Sequence, residues 1–163
     1  MPFLVAFGLA TVFGSCQNQP QTPMGQIDQL KRQIEADSLA LHQLKTVDFQ
    51  KLKSDFGFCD SMLQYVSQEQ IEAAFEPLNL TQAYLHQFGE VQPVMNRKMR
   101  YTLLQLDRLK ADAESHYLTD SLVVVYLNDE TLVADTLHSQ VVYFKDRFDN
   151  CQKMLNQLKK SQK

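Results

Sequence analysis

The sequence predicts an all-α protein, an antiparallel helical bundle or elongated coiled coil of four to five helices. Three observations support this prediction. Near both ends of the chain, apolar residues recur at alternating steps of three and four, the spacing of a helix that buries one face. Proline and glycine interrupt the pattern between those ends. Only one run favours a strand, and a lone strand would leave its backbone hydrogen-bonding groups without partners.

The first helix is predicted over about residues 26–54. Asp37 takes the position on its apolar stripe where an apolar residue is missing. A polar residue at such a position can fix the register of a bundle or the choice of a partner, and it can equally be a local defect near solvent. The stripe consists of Ile27, Leu30, Ile34, Leu41 and Leu44.

The middle of the chain is predicted as three shorter helices, separated by glycine and proline. Gly57 ends the first helix, and Pro77 ends the second because proline disfavours helical backbone at the residue before it. Gly89 and Pro93 mark a turn between the third helix and the fourth. The second helix covers about 59–76 and the fourth about 94–115. The inward positions are Cys59, Leu63, Val66, Ile71 or Ala74, Leu80, Tyr84, Phe88, Met99, Leu103, Leu106, Leu109 and Ala113.

The last helix has the most regular pattern. It is predicted to begin near Asp120, where Thr119 and Ser121 also favour a helix start, and lysines crowd its end, where cations complement the helix dipole. The run from Leu122 to Leu127 is rich in β-branched residues and would suit a strand. Because no second strand exists to pair with it, helix is the stronger prediction. The inward stripe is Leu137, Val141, Phe144, Phe148, Cys151, Leu155 and Leu158.

The start of the chain has a different character. Residues 2–13 are uncharged and mostly apolar, and as a helix they would span about 18 Å, too short to cross a bilayer and typical of a signal peptide. The run closes on Gly14-Ser15-Cys16, and this pattern resembles the lipobox of bacterial lipoproteins. The resemblance implies that residues 1–15 are removed, that the Cys16 sulfur carries a diacylglyceryl group and that the new amino terminus is acylated.

The resemblance implies three parts: a signal peptide over 1–15, the lipidated cysteine with a flexible tether over 16–25, and a helical domain over 26–160. Gln17 follows the cysteine, and the first acidic residue comes only at position 28, so the tether lacks the signals for the inner membrane or the cell surface. The chain is thus similar to small helical envelope lipoproteins of the Bacteroidota, which implies a lipid-anchored, periplasm-facing protein of the outer membrane.

The amino-terminal segment departs from the lipobox pattern in two respects. Phe13 stands where Leu is more usual. Signal peptides begin with a basic segment, and no Lys or Arg precedes Lys31 here. We therefore expect translation to begin upstream of the first residue given. The alternative is a soluble protein with an apolar helix at its amino terminus.

Composition bears on function mainly by exclusion. A net charge of −3 argues against nucleic acid, since a protein that neutralises phosphates is normally basic. No GxGxxG, GxxxxGK(S/T), GxSxG, HExxH or CxxC motif occurs, so we expect no enzyme and no cofactor. The leading hypothesis is a non-enzymatic scaffold or protein-interaction module that binds a protein partner or itself, attached to the membrane by its lipid. The alternative is a bundle that holds a small apolar ligand or a metal ion.

Two histidine pairs have the spacing of metal ligands on one helical face. His86 precedes Glu90 by four residues, and Asp112 precedes His116 by four. A site needs further ligands, and the sequence nominates none. We therefore expect a solvated polar face at both places.

With Cys16 lipidated, Cys59 and Cys151 are the remaining thiols, in a compartment that permits disulfides. Both lie on inward stripes and could meet across the bundle. A bridge that closes so long a loop would stabilise the fold by about 4–5 kcal/mol in the entropic model. Two buried free thiols are the alternative.

Aspartate followed by Ser or Thr and an apolar residue occurs four times, which exceeds what composition predicts. The pattern is similar to the O-glycosylation sequon of Bacteroidota envelope proteins, which implies that the hydroxyl residues accept glycans. Helix capping is the alternative for the triplets that begin at Asp60 and Asp120. The candidate acceptors are Ser38, Ser61, Ser121 and Thr136.

Overall fold

The computed structural model describes residues 22–161, and throughout this range the regular structure is helical, with no strand. The all-α prediction is confirmed. Three long arms follow one another along the chain, and the first arm is assembled from four consecutive helical segments. The first arm comprises α1 (Pro23–Gln43), a π-helical turn (Leu44–Asp48), α2 (Phe49–Met62) and a 3-10 turn (Leu63–Tyr65); the second arm is α3 (Gln68–Glu114) and the third is α4 (Asp120–Ser161).

Polar contacts show that arms consecutive along the chain run in opposite directions. Asp28 of α1 accepts a hydrogen bond from Lys110 of α3 at 2.7 Å. Lys31, further along α1, pairs with Asp107, which comes earlier in α3, so these two helices are antiparallel. Asp37 of the first arm pairs with His138 of α4, and the later Asp55 pairs with the later Lys159. Residue numbers therefore increase in the same direction along both, so the first and third arms are parallel. The bundle is elongated, since the 47 residues of α3 extend about 70 Å.

An aromatic cluster joins all three arms at mid-height. The ring centroid of Phe88 lies 5.5 Å from that of Phe49 in α2 and 5.3 Å from that of Phe144 in α4. Tyr84, one turn before Phe88, lies 5.8 Å from it. Tyr84, Phe88 and Phe144 are buried, so the cluster combines loss of apolar surface from water with favourable ring–ring geometry.

The two regular stripes are confirmed. All five residues of the first and all seven of the last are buried, and they form one continuous core with the inward face of α3. The strand-like run from Leu122 to Leu127 is helical, within α4.

The prediction of four to five separate helices is not confirmed: α1 and α2 run on as one arm, so there are three arms within residues 22–161, and the glycine and proline positions do not end helices. Pro77 and Pro93 both lie inside α3, and Gly57 lies inside α2. Each proline leaves one carbonyl without its donor, four residues earlier. Those carbonyls belong to Ala73 and Gly89, which are exposed, so water can satisfy them without a break in the helix.

The break between the first two arms falls inside the helix predicted over 59–76. Ser67 is the N-cap of α3: its hydroxyl accepts a hydrogen bond from the Gln70 N–H at 3.4 Å, and its own N–H donates to the Gln70 side chain at 3.0 Å. This reciprocal capping box satisfies two donors at the helix start. The second break follows the prediction closely, with α3 ending at Glu114 and α4 beginning at Asp120.

The first arm begins earlier than the predicted boundary at residue 26. Thr22 caps α1 by accepting the Gly25 N–H at 3.2 Å, and Pro23 takes the first helical position, where its missing N–H has no consequence. The last residues assigned to the tether over 16–25 are therefore helical. The signal peptide over 1–15, Cys16 and the rest of the tether lie outside the described residues.

Candidate functional site

A polar pair interrupts the apolar seam between α1 and α4. Asp37 is only 6% exposed, and His138 Nδ1 lies 2.9 Å and 3.2 Å from its two carboxylate oxygens. Because a carboxylate only accepts hydrogen bonds, Nδ1 carries the proton and donates. The sequence left open whether Asp37 sets the register or is a defect near solvent. In the structure it is buried and has a partner on the parallel arm.

A groove between α3 and α4, here called the α3–α4 groove, has a volume of about 470 Å³. Tyr101 and Val133 supply exposed apolar surface on its two sides, and Arg97 and Lys98 bring positive charge. No carboxylate belongs to its lining. The lining residues are Arg97, Lys98, Tyr101, Thr102, Val133, Thr136, Leu137 and Gln140.

The cations of this groove belong to the majority of lysines and arginines in the described residues, which take part in no ion pair. Lys31, Lys110 and Lys159 each reach a carboxylate on another arm. Within residues 22–161, neither Arg97 nor Lys98 has a carboxylate within 4 Å. Their charge is therefore available to a negatively charged group from outside the bundle.

Tyrosine and arginine continue along α4 beyond the groove. Tyr143 follows Gln140 by three residues, which places it on the same side of the helix. The Arg147 guanidinium lies 5.9 Å from the Tyr143 ring centroid, and its buried Nε has no hydrogen-bond partner. Tyr and Arg dominate the residues that contribute most to protein–protein binding, so this side of the bundle has the composition of an interaction surface.

A second groove, here called the Phe58 groove, lies between α2 and the end of α4 and has a volume of about 610 Å³. Phe58 is half exposed, and Lys159 Nζ lies 5.8 Å from the centre of its ring while also pairing with Asp55. Met62 completes the apolar part of the lining. The groove combines this apolar surface with the paired Lys159 and with a second lysine, Lys160, so apolar contact is what it offers to a ligand of either kind, charged or uncharged.

The two candidate disulfide partners are free thiols in the structure. Both are buried, and burial raises the pKa of the Cys59 thiol and of the Cys151 thiol. Cys59 Sγ donates to the carbonyl of Leu155 at 3.8 Å. Leu155 comes one helical turn after Cys151, so the two thiols are offset by about 6 Å along the bundle.

The four candidate acceptors of O-glycan differ in access. Ser61, Ser121 and Thr136 are exposed, whereas Ser38 is half-buried beside the seam of α1. Thr136 Oγ1 donates to the Leu132 carbonyl at 2.8 Å, and the residue also lines the α3–α4 groove. A glycan on Thr136 would therefore occupy that groove.

The two histidine pairs lie at the surface of the bundle, where Asp112 alone of the four residues is half-buried. His86 Nδ1 lies 3.5 Å from a Glu90 oxygen, and both side chains are largely exposed. His116 takes a left-handed backbone with φ of 55° in the turn after Asp112. Within residues 22–161, no cluster of three or more His, Cys, Asp or Glu residues is placed to hold a metal ion.

Over the same range, none of the helices has the length and apolar content needed to cross a membrane. Comparisons with protein-family models, with curated proteins and with solved structures found no match for this chain. The α3–α4 groove was not predicted from the sequence as a binding site, although Thr136 in its lining was nominated as a glycan acceptor. A signal for it exists, since the stretch from Val91 to Leu106 contains three basic residues and no acidic one.

Proposed function

We propose that this protein is a non-enzymatic interaction module of the bacterial envelope, anchored by a lipid on Cys16, whose α3–α4 groove binds an acidic segment of a protein partner. The observation that carries the proposal is the combination of exposed Tyr101 and Val133 with Arg97 and Lys98, which have no carboxylate within 4 Å among residues 22–161. Apolar area supplies affinity, and the uncompensated charge selects an acidic partner and speeds its association.

The groove also favours one kind of bound segment. An amphipathic helix with carboxylates beside its apolar face would lay that face on Tyr101 and Val133 and direct its charges to Arg97 and Lys98. The groove is compatible with glycans on Ser61 and Ser121, which lie near the ends of α2 and α4, and incompatible with a glycan on Thr136. Glycopeptide mapping of protein from its own host tests whether Ser61 and Ser121 carry glycans while Thr136 does not.

The partner is tested with a photo-crosslinking amino acid in place of Tyr101 in the full-length, membrane-bound protein. We expect a crosslink to an acidic segment of an envelope protein, and we expect the doubly reversed variant Arg97→Glu, Lys98→Glu to reduce it by about tenfold or more. The matched control is Lys51→Glu, Lys53→Glu, which reverses two exposed charges on α2, away from the groove.

Three outcomes would contradict the proposed partner: a crosslink to a second copy of this chain, a crosslink to a segment without acidic residues, or equal loss of crosslinking in both charge-reversed variants. The first of these indicates self-association, which the sequence also allows.

The lipid anchor is tested separately. We expect Cys16→Ser to move the protein from the detergent phase to the aqueous phase, because two acyl chains or more are needed for firm attachment. Density fractionation of the envelope then places the parent protein in the outer or the inner membrane. A Cys16→Ser variant that partitions like its parent would contradict lipidation.

The Phe58 groove favours a second candidate, the binding of a small apolar ligand. Its exposed Phe58 ring and its volume of about 610 Å³ are suited to such a molecule. Native mass spectrometry of the purified protein decides between the two candidates. A retained small molecule whose mass is lost from Phe58→Ser supports the ligand-binding function.

A further inference from the structure

Residues 122–127, in the first two turns of α4 after Asp120 and Ser121, are apolar on every side of the helix. Val123 and Leu127 face the core and are buried, which accounts for one side of the helix only. A helix that is apolar all round normally has apolar surroundings on all sides, and the described residues do not cover this one. The exposed apolar side chains are Leu122, Val124, Val125 and Tyr126, with exposures of 43%, 44%, 52% and 47%.

The turn that precedes α4 adds a fully presented aromatic ring. Tyr117 is 80% exposed, and it follows the left-handed His116 in a turn held by the hydrogen bond from its own N–H to the Asp112 carbonyl at 2.9 Å. The turn thus directs Tyr117 away from the bundle on a defined backbone. Tyr117 and the exposed apolar residues of the first two turns of α4 are here called the apolar tip.

The chain enters the first arm at the same end of the bundle. Asp28 and Lys110 are paired, so they lie at one height. Thr22 precedes Asp28 by six residues, and His116 follows Lys110 by six, which is a rise of about 9 Å in both arms. The start of the described chain and the apolar tip are therefore level with each other.

Only five residues separate Cys16 from Thr22. A chain of this length reaches at most about 20 Å even when fully extended. A lipid on Cys16 would therefore hold the apolar tip near the membrane surface, and it would keep the opposite end of the bundle far from it.

We propose that the apolar tip inserts into the interface of the membrane that holds the Cys16 lipid. This end of the bundle then contacts the membrane, and Tyr65 and Phe58 lie at the end far from it. The inference rests on the lipid anchor of the proposed function. Tyr117 and Tyr126 suit this place because tyrosine sits at the headgroup level with its ring toward the acyl chains and its hydroxyl toward water.

The charges near the tip select the kind of surface. Glu114 and Asp120 flank the turn and are exposed, and neither has a cation within ion-pair distance among residues 22–161. Anionic headgroups would repel them. The contact is thus apolar and fits zwitterionic lipid, and it should not weaken when salt is added.

The chain contains no tryptophan, so a single substitution installs a unique fluorescent reporter. Tyr117→Trp reports on the tip, and Tyr65→Trp is its matched control, because Tyr65 is also 80% exposed but lies at the opposite end. Both variants are made in the full lipidated protein and reconstituted into phosphatidylcholine vesicles that contain phosphatidylcholine with brominated acyl chains, which quench only tryptophan in contact with lipid.

We expect the Tyr117→Trp emission to shift to shorter wavelength and to be quenched about twofold or more, at low and high salt alike, while the Tyr65→Trp emission stays that of an exposed indole. Replacing Leu122 and Val125 by Asn in the Tyr117→Trp background should abolish the quenching without loss of helical circular dichroism. Equal quenching of both reporters, or none of either, overturns the inference. A blue shift of the Tyr117→Trp emission without bromine quenching indicates protein association and overturns it too.

Vesicle flotation and intact-mass measurement distinguish a failure of tip insertion from a failure of the lipid anchor. If the lipidated protein floats with the vesicles but Tyr117→Trp is not quenched, the insertion of the apolar tip is wrong and the lipid anchor is supported. If Cys16 carries no lipid in the host, the anchor fails. The geometry is then measured by coupling Cys16 to a maleimide phospholipid in the same vesicles, with the buried Cys59 and Cys151 protected from the reagent, and absence of quenching there overturns the inference as well.

Discussion

His138 of α4 donates a hydrogen bond to the Asp37 carboxylate of α1 at 2.9 Å, in the middle of a seam that is otherwise apolar. The two partners differ in burial, because the His138 side chain is 51% exposed and the Asp37 side chain only 8%. Removing one partner therefore has a different consequence from removing the other. The pair holds the two parallel arms in one register, since a shift of α1 along α4 would leave the carboxylate without a donor.

The first prediction follows from that asymmetry. We expect His138→Ala to lower the free energy of unfolding by about 1–3 kcal/mol, because the buried carboxylate loses its donor. Asp37→Leu should leave it unchanged or raise it by about 1–2 kcal/mol, since His138 can turn to water and the apolar stripe is completed. Urea unfolding of both variants measures the difference.

The exposed pair of His86 and Glu90 provides the control. It is also a histidine–carboxylate contact, at 3.5 Å, and His86→Ala should change stability by less than about 0.5 kcal/mol. If Asp37→Leu is as destabilising as His138→Ala, the pair contributes net stability and the predicted difference between the two variants is wrong.

The apolar stripes could be predicted from the sequence because their spacing is a local property of one helix. The helix breaks predicted at Pro77 and Pro93 were wrong because these prolines were interpreted without knowing which carbonyls they leave free. Both prolines leave carbonyls of exposed residues, so the helix continues. The true starts carried signals of their own: Thr22 before Pro23, and Ser67 three residues before the Gln70 that completes its capping box.

The candidate site was much less accessible to sequence reasoning. Basic residues without acidic neighbours could be found around Arg97, but Val133 joins them only through the alignment of α3 with α4. That alignment depends on the bundle as a whole, because α3 is one continuous helix rather than the two or three expected. The partner of Asp37 was hidden for the same reason, since 101 positions separate it from His138.

The second prediction concerns His116, which takes a left-handed conformation with φ of 55° at the end of α3. Glycine adopts this conformation without the steric penalty of a Cβ atom, so His116→Gly should raise the free energy of unfolding by about 1 kcal/mol. The control is His86→Gly, inside α3, which should lower it by about 1 kcal/mol. Thermal unfolding of both variants tests the opposite signs, and a loss of stability in His116→Gly would contradict the prediction.

The third prediction concerns the pH dependence of stability. Burial, with a smaller contribution from the neighbouring Asp129, raises the pKa of the Glu130 carboxyl above 4.5. The folded protein therefore binds this proton more tightly than the unfolded chain, and stability falls as the pH rises through the folded pKa. Glu130→Gln removes the effect, so we expect the variant to be the more stable at pH 7 and to match the parent below about pH 4. A difference that grows as the pH falls would contradict the sign.

The fourth prediction concerns the two buried thiols, studied in the Cys16→Ser background so that no other cysteine remains. Burial and the raised pKa of both thiols keep the thiolate population low, so an alkylating reagent at pH 8 should label the thiols only in the small fraction of protein that is unfolded at any moment. Cys59 and Cys151 should then react at the same rate, and both should react faster in His138→Ala, in proportion to its higher unfolded fraction.

The same samples test the alternative disulfide. Unfolded protein that has never met a reductant should take up two alkyl groups per chain if the thiols are free, as they are in the structure, and none if Cys59 and Cys151 are bridged. Rapid labelling of one thiol in the native protein would contradict its burial. The free thiols follow from the packing, because Cys59 is held against the carbonyl of Leu155, about one helical turn beyond Cys151, rather than against the other sulfur.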